Sequence, residues 1–294
     1  MKHLTVLSDI KYLIFGVALI KSLHRTTSIP ITIHYFCMDD TTFSGLTKLA
    51  LRGVIPYPPS VLFNSSNQQL LKLKATDFRY LCWSLASVFT NYIMQNVVCE
   101  SVTYIDSDIE FHMDISMLFD QFATKDCGIF RHRFLREDEE SPYGKFNVGI
   151  VYFKNSDSGR TVLEWWSDAV LYQKYPALST CGDQKYLDEF PKICPNIYID
   201  SNIGHGAPWN WFKYGLNKLK DGNISFNGQS QPLVFTHFSK FIYDIPSNSF
   251  TCSDLVYRGY TNANAIYKNP DLYALHASYF ERLKEADAMI KNAG

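Results

Sequence analysis

Asp106-Ser107-Asp108 is the point in the chain where residue type and spacing most directly suggest chemistry. Two carboxylates one residue apart can converge on a divalent cation where a strand breaks. An oxygen-only pair suits Mg2+ or Mn2+, and substrate phosphates commonly complete such a shell. Chance supplies roughly one such spacing in a chain this rich in Asp, so the pair needs a structural context. That context is Ser101-Val-Thr-Tyr-Ile105, a short β-branched run that predicts a buried strand delivering both carboxylates at its end. Farther on, Asn202-Ile-Gly-His-Gly-Ala-Pro-Trp-Asn210 gathers glycines, a His and a Trp into one loop. Trp209 and Asn210 there read either as a sugar or base platform, which a ring with a polar handle suits, or as a core tryptophan and its neighbour.

Such residues need elements to hold them. Residues 3–9 predict a strand, the spacing of Leu13, Val17 and Ile20 a helix, and residues 29–37 a second strand, together a parallel α/β unit. A helix over 41–52 stopped by Gly53 follows, then a loop at Pro56-Tyr57-Pro58-Pro59 and a long helix over 77–98. Strands at 127–130 and 148–153, a helix at 161–172 and a last helix at 272–292 complete the reading. The charge-dense interval 131–140 reads as a solvated loop, and 131–145 as a stretch able to close over a bound ligand. No repeat or linker divides the chain, which predicts one domain over 1–240 and a helical extension over 241–294 packed on it.

Composition narrows the class. With 28 basic and 29 acidic residues in 294 and a net charge of −1, no basic surface for nucleic acid is expected. An apolar share of 46 % excludes disorder. Seven cysteines without a C-x-x-C pair argue against a disulfide framework or zinc site and predict free thiols in a cytoplasmic protein. The apolar stretch at 12–20 falls short of the about 20 residues that span a bilayer. Peripheral attachment at the inner face of a membrane stays open.

Five blocks then resemble, in order, the GT-A glycosyltransferases, most closely the glycogenin and lipooligosaccharide galactosyltransferase group. They are residues 8–22, opening Ser8-Asp-Ile-Lys-Tyr12, then Val102-Thr-Tyr-Ile-Asp-Ser-Asp108, Lys145-Phe-Asn-Val-Gly-Ile-Val-Tyr-Phe153, Gly182-Asp-Gln-Lys-Tyr-Leu187 and Thr236-His-Phe-Ser239. The resemblance implies the GT-A fold, an α/β architecture with one mixed, mostly parallel sheet flanked by helices. It also assigns roles. Asp9 would pair with the base and Tyr12 stack on it, against the plainer readings of a helix cap and a core ring. Asp106, Asp108 and His237 would hold Mn2+ or Mg2+, with Asp106 also near the ribose. Asn147 would face the donor sugar with both ends of its amide, or else satisfy a turn. Asp183 and Gln184 would sit at the reacting centre, although Asp183 could equally cap the helix it opens. Lys240 would approach the diphosphate. The chain departs from the group after His237, where the Gly, Lys and Pro-Trp of H-x-x-G-x-x-K-P-W are missing. It also lacks the Tyr-Ala-Arg-Leu stretch, which leaves Arg79 without a matching motif.

The activity so implied is transfer of a sugar from a nucleotide-diphosphate donor, a UDP-sugar first, to a saccharide or lipid-linked saccharide acceptor in glycan synthesis, with retention of configuration. A sugar-phosphate nucleotidylyltransferase is the rival enzyme class, but it would carry a glycine-rich loop after the first strand, and Ser8-Asp-Ile-Lys-Tyr12 has no glycine. A non-catalytic carbohydrate-binding protein of the same fold is the third reading.

Overall fold

The structure, a computed structural model, describes residues 1–201, 204–217, 222–252 and 269–293. The expected loop at 202–210 therefore begins outside the described residues, as do positions 253–268 and 294 of the expected extension. In chain order the elements are β1 (Lys2–Ser8), α1 (Leu13–Thr26), β2 (Ile31–Cys37), α2 (Asp40–Leu49), β3 (Val54–Tyr57), α3 (Gln68–Thr76), α4 (Phe78–Asn96), β4 (Ser101–Ile105) and β5 (Ile109–Phe111). Then come α5 (Ser116–Phe122), β6 (Cys127–Arg131), α6 (Glu140–Tyr143), β7 (Phe146–Lys154), α7 (Asp157–Leu171), α8 (Phe190–Ile193) and β8 (Ile197–Ile199). Last are β9 (Gly204–Gly206), β10 (Gly215–Asn217), β11 (Asn223–Phe226), β12 (Gln229–His237), β13 (Phe241–Asp244), β14 (Ser249–Cys252) and the C-terminal helix α9 (Pro270–Ala293).

A seven-stranded sheet in the order β3-β2-β1-β4-β7-β6-β8 forms the centre. It is parallel from β3 to β4, and β7 runs antiparallel to both β4 and β6. Beside it stand a five-stranded sheet built around β12 and the β13-β14 hairpin, which local sequence pattern did not announce. Alternation along the central strands feeds two cores. Leu4, Val6, Tyr35 and Ile150 pack with α1 and α9 on one side, while Phe36, Val102, Val151 and Phe153 pack with α4 and α7 on the other. Gly16 permits α1 to lie against β2, because a Cβ there would fall 1.9 Å from the Tyr35 hydroxyl. That hydroxyl is 2.7 Å from Ser8 Oγ, so the end of β1 is tied down where Asp9 follows.

Three expectations are corrected. Pro56 lies in β3 rather than a loop, which is tolerable because β3 is an edge strand and a missing N–H costs no central ladder bond. The second helix stops at Leu49, before Gly53, since Ala50 turns left-handed at φ 46°. Within 131–140, His132, Arg133 and Phe134 are buried rather than solvated, held by an ion pair between Arg133 and the buried Asp200.

Candidate functional site

The parallel strands β1 and β4 lie side by side, Thr5 opposite Tyr104, so Asp9 and Asp106 emerge at the same edge of the sheet. The antiparallel β7 brings its first residues to that edge, with Ile150 opposite Ile105 and Asp106 N donating to Gly149 O at 2.9 Å. From the second sheet, β12 pairs with β5 so that His237 lies opposite Ile109, and Phe238 N donates to Asp108 O at 2.8 Å. Three separate strand pairings thus meet at one point.

At that point His237 Nε2 lies 3.1 Å from Asp108 Oδ1 and 3.6 Å from Asp106 Oδ2. One ligand atom from each of the three residues fits within 4.8 Å of the others. Tyr104 Oη donates to Asp106 Oδ1 at 2.6 Å and orients that carboxylate. Burial pushes the Asp106 carboxyl upward, His237 opposes this, and Asp108 adds to it. Asp183 is pushed well up by burial and then by Asp106. Desolvated carboxylates facing one another are unfavourable until a cation joins them. Two carboxylate oxygens and one imidazole nitrogen are suitable ligands for a divalent cation, so the residues present fit such an ion.

A cavity of about 590 Å³ opens over this cluster. On the β1 side it is lined by Ser8, Asp9, Tyr12 and Met38, and on the β7 side by Asn147, with His132, Tyr143, Asp183, Gln184 and Trp209 also in its wall. Asp9 takes a bond from Tyr12 N at 3.0 Å, so it serves the turn and also faces the cavity. Tyr12 is 46 % exposed and is no core ring. Burial and the nearby Asp108, Asp9 and Asp106 raise its phenol to about 12. Asp183 stands at the N-terminal cap position of a 3-10 turn at Gln184–Glu189, yet its carboxylate makes no capping bond. Its carbonyl is held instead by Trp166 Nε1 at 3.2 Å. Lys240 lines the cavity from a left-handed backbone, φ 53°.

Three sequence expectations change. Asn210 does not line the cavity. It is fully buried, its Oδ1 accepting from Ala207 N at 2.8 Å and its Nδ2 donating to His132 O at 3.1 Å. Trp209 is 4 % exposed and stands edge-on to His237 and His132, so it forms wall rather than an open platform. Asn147 spends both ends of its amide inside the protein, on Gly149 N, His237 and Gln184. The sequence reading also missed Phe78, Cys82, Trp83 and Ala86, which line the cavity with Arg79. Their spacing traces one face of α4, whose phase Asp77 sets by accepting from Tyr80 N at 2.9 Å.

No protein-family model matches the chain. It is 35 % identical over 244 residues to the uncharacterized protein YfnF of Bacillus subtilis (strain 168), covering 77 % of each. The chain belongs to the YfnF family. Among solved structures, it is similar to the galactosyltransferase LgtC in complex with donor and acceptor sugar analogs, with a TM-score of 0.57, 14 % identity, and coverage of 93 % of this chain and 99 % of that one. Mouse xyloside xylosyltransferase 1 in its apo form gives 0.52 and 16 %, over 80 % of this chain and 97 % of that one. The YfnF-family chain therefore has the GT-A fold, with its mixed, mostly parallel sheet between helices.

Proposed function

We propose that this protein is a metal-dependent glycosyltransferase that moves a sugar from a nucleotide-diphosphate donor, a UDP-sugar, to a hydroxyl of a saccharide or lipid-linked saccharide. The observation that carries the reading is the convergence of Asp106, Asp108 and His237, from separate strand pairings, at the base of a cavity large enough for such a donor. A galactosyltransferase holding donor and acceptor sugar analogs and a xylosyltransferase share the fold, which agrees with it.

In this reading Asp106, Asp108 and His237 would hold Mn2+ or Mg2+, which would supply positive charge opposite the diphosphate leaving group. Asp9 accepts a hydrogen bond from the base and Tyr12 stacks on it, while Lys240 adds a positive charge toward the diphosphate. Asp183 and Gln184 border the sugar on the far side of Asp106, where Asp183 stabilises the developing positive charge on the sugar ring in a transfer with retention. Trp209 closes the wall behind the sugar. Water exclusion matters, because an open site would hydrolyse the donor. The catalytic unit spans 1–240, followed by an extension that is not helical throughout as expected, since its described residues form the β13-β14 hairpin as well as α9. No helix among the described residues is long and apolar enough to cross a membrane. Action in the cytoplasm, at the inner face of a membrane in surface-glycan synthesis, belongs to the same proposal.

The test is nucleotide release from a panel of UDP- and GDP-sugars with Mn2+, with EDTA, and with Asp108→Ala. Mn2+-dependent release that EDTA and the substitution abolish is the expected result. Absence of metal-dependent release from every donor would sink the reading.

A further inference from the structure

We infer that Asn147 is a positioning residue for His237, fixing which imidazole nitrogen faces the cation, and that Gly149 exists to let the two side chains meet. The inference rests on the metal-dependent reading for its ligand set but not for its geometry.

The argument starts at a backbone amide, whose polarity is not in question. Gly149 N donates to the side chain of Asn147 at 2.9 Å, so the atom it meets must be the carboxamide oxygen. His237 Nδ1 lies 3.1 Å from that same Oδ1. An amide oxygen only accepts, so Nδ1 carries the proton. Flipping the amide would set its NH2 against the Gly149 N–H, donor against donor, and is excluded by the same bond. With Nδ1 protonated and held, Nε2 is the nitrogen that presents a lone pair toward Asp106 and Asp108.

The other end of the amide is committed as well. Asn147 Nδ2 donates to Gln184 Oε1 at 3.0 Å, and Gln184 Nε2 donates to Tyr143 O at 2.9 Å. Each amide orientation fixes the next, which leaves Asn147 one arrangement.

Gly149 supplies an independent observation. Residues 147 and 149 share a face of β7, and a Cβ on Gly149 would lie 2.5 Å from Asn147 Oδ1 and 2.7 Å from His237 Nδ1. Any side chain there would separate the carboxamide from the imidazole. The Asn-Val-Gly spacing is thereby explained by sterics where Asn147 meets His237.

The experiment is Mn2+ binding to the full chain without any donor, read from the free-ion electron paramagnetic resonance signal, with thermal melting as the control for folding. Asn147→Leu keeps the branching and removes the acceptor, and should weaken Mn2+ by about 10- to 100-fold, as loss of an orienting partner does. Gly149→Ala removes no polar group and should weaken it over the same range. Asn147→Asp keeps the acceptor toward Nδ1 and should bind Mn2+ at least as tightly as the wild type. Wild-type affinity in Asn147→Leu, or equal losses in Asn147→Leu and Asn147→Asp, overturns the inference. Should Asn147→Leu fail to fold, the pair Gly149→Ala and Asn147→Asp decides by the same contrast. The two readings separate cleanly. If the wild type binds Mn2+ and the variants behave as expected but no nucleotide sugar is turned over, the function fails and this inference stands. If turnover is metal-dependent and Asn147→Leu binds Mn2+ normally, the inference alone fails. A wild type that does not bind Mn2+ overturns both.

Discussion

Two clusters combine Asp and His, one buried and one half-buried at a cavity, and they differ in charge balance. In one, Asp200 is fully buried and paired with Arg133, whose Nη2 also donates to Asp200 O at 3.2 Å, with His205 beside them. In the other, Asp106 and Asp108 face His237 and an open cavity. The first supplies its own permanent cation and becomes structure. The second sets carboxylates against an imidazole with no permanent cation of its own among the described contacts, and in the proposed function an outside ion joins them. The contrast predicts a swap of phenotypes. Asp108→Ala should lower the transfer rate by about 10³-fold, since most of the charge stabilisation is lost, while the metal-free melting temperature stays level or rises as like charges part. Asp200→Asn should do the reverse. It leaves the Arg133 guanidinium buried without its counterion, at about 3 kcal/mol or more of stability, with kcat of the folded fraction nearly unchanged. Denaturant melts and initial rates on both variants check this, and a large stability loss in Asp108→Ala would erase the distinction.

The same contrast has a pH signature. Asp183 carries a carboxyl raised well above its ordinary 3.8 by burial and Asp106. A carboxyl raised in the folded state binds protons there more readily than in the unfolded chain. Stability without metal should therefore fall as pH rises from the ordinary carboxylate value through the raised one. Asp183→Asn removes that share of the slope and should stabilise the metal-free protein at pH 8 by on the order of 1 kcal/mol, while slowing transfer. Parallel pH profiles of melting temperature for the two proteins would show that Asp183 is not the group responsible.

Much of the fold was readable because its signals are local. The strand ending in Asp106-Ser107-Asp108, the strand-helix-strand start and the long helix over 77–98 all follow from runs of about 20 residues or fewer, where periodicity decides. The site was readable only as separate blocks. Nothing local says that β12 lies antiparallel to β5, yet that pairing alone puts His237 beside Asp108. Asn147 and Asn210 illustrate the remainder. A sequence shows that an amide can bond a sugar, whereas whether its four bonding positions are already filled depends on side chains contributed from distant strands. Pro56 and Arg133 were misread for related reasons, one needing an edge strand and the other a buried partner at Asp200.

The smallest expected effect tests the comparison within one stretch. In 131–145 the inner residues His132, Arg133 and Phe134 are buried, and His132, which lines the cavity, has its Nδ1 fastened to Gly144 O at 3.0 Å. The outer residues Glu137, Asp138 and Glu140 are exposed, and the Arg136–Asp138 pair stands in solvent. Exposed pairs of this kind contribute little, because water screens them and ordering two long side chains costs entropy. Asp138→Ala should accordingly leave the melting temperature and Mn2+ affinity unmoved. Its informative readout is the ratio of donor hydrolysis to transfer. If the outer residues only bathe in solvent, that ratio also stays constant. A rise in hydrolysis without loss of stability would mean instead that this rim closes over the donor and excludes water, with Tyr143 and its bond from Gln184 Nε2 as the fixed side of the closure.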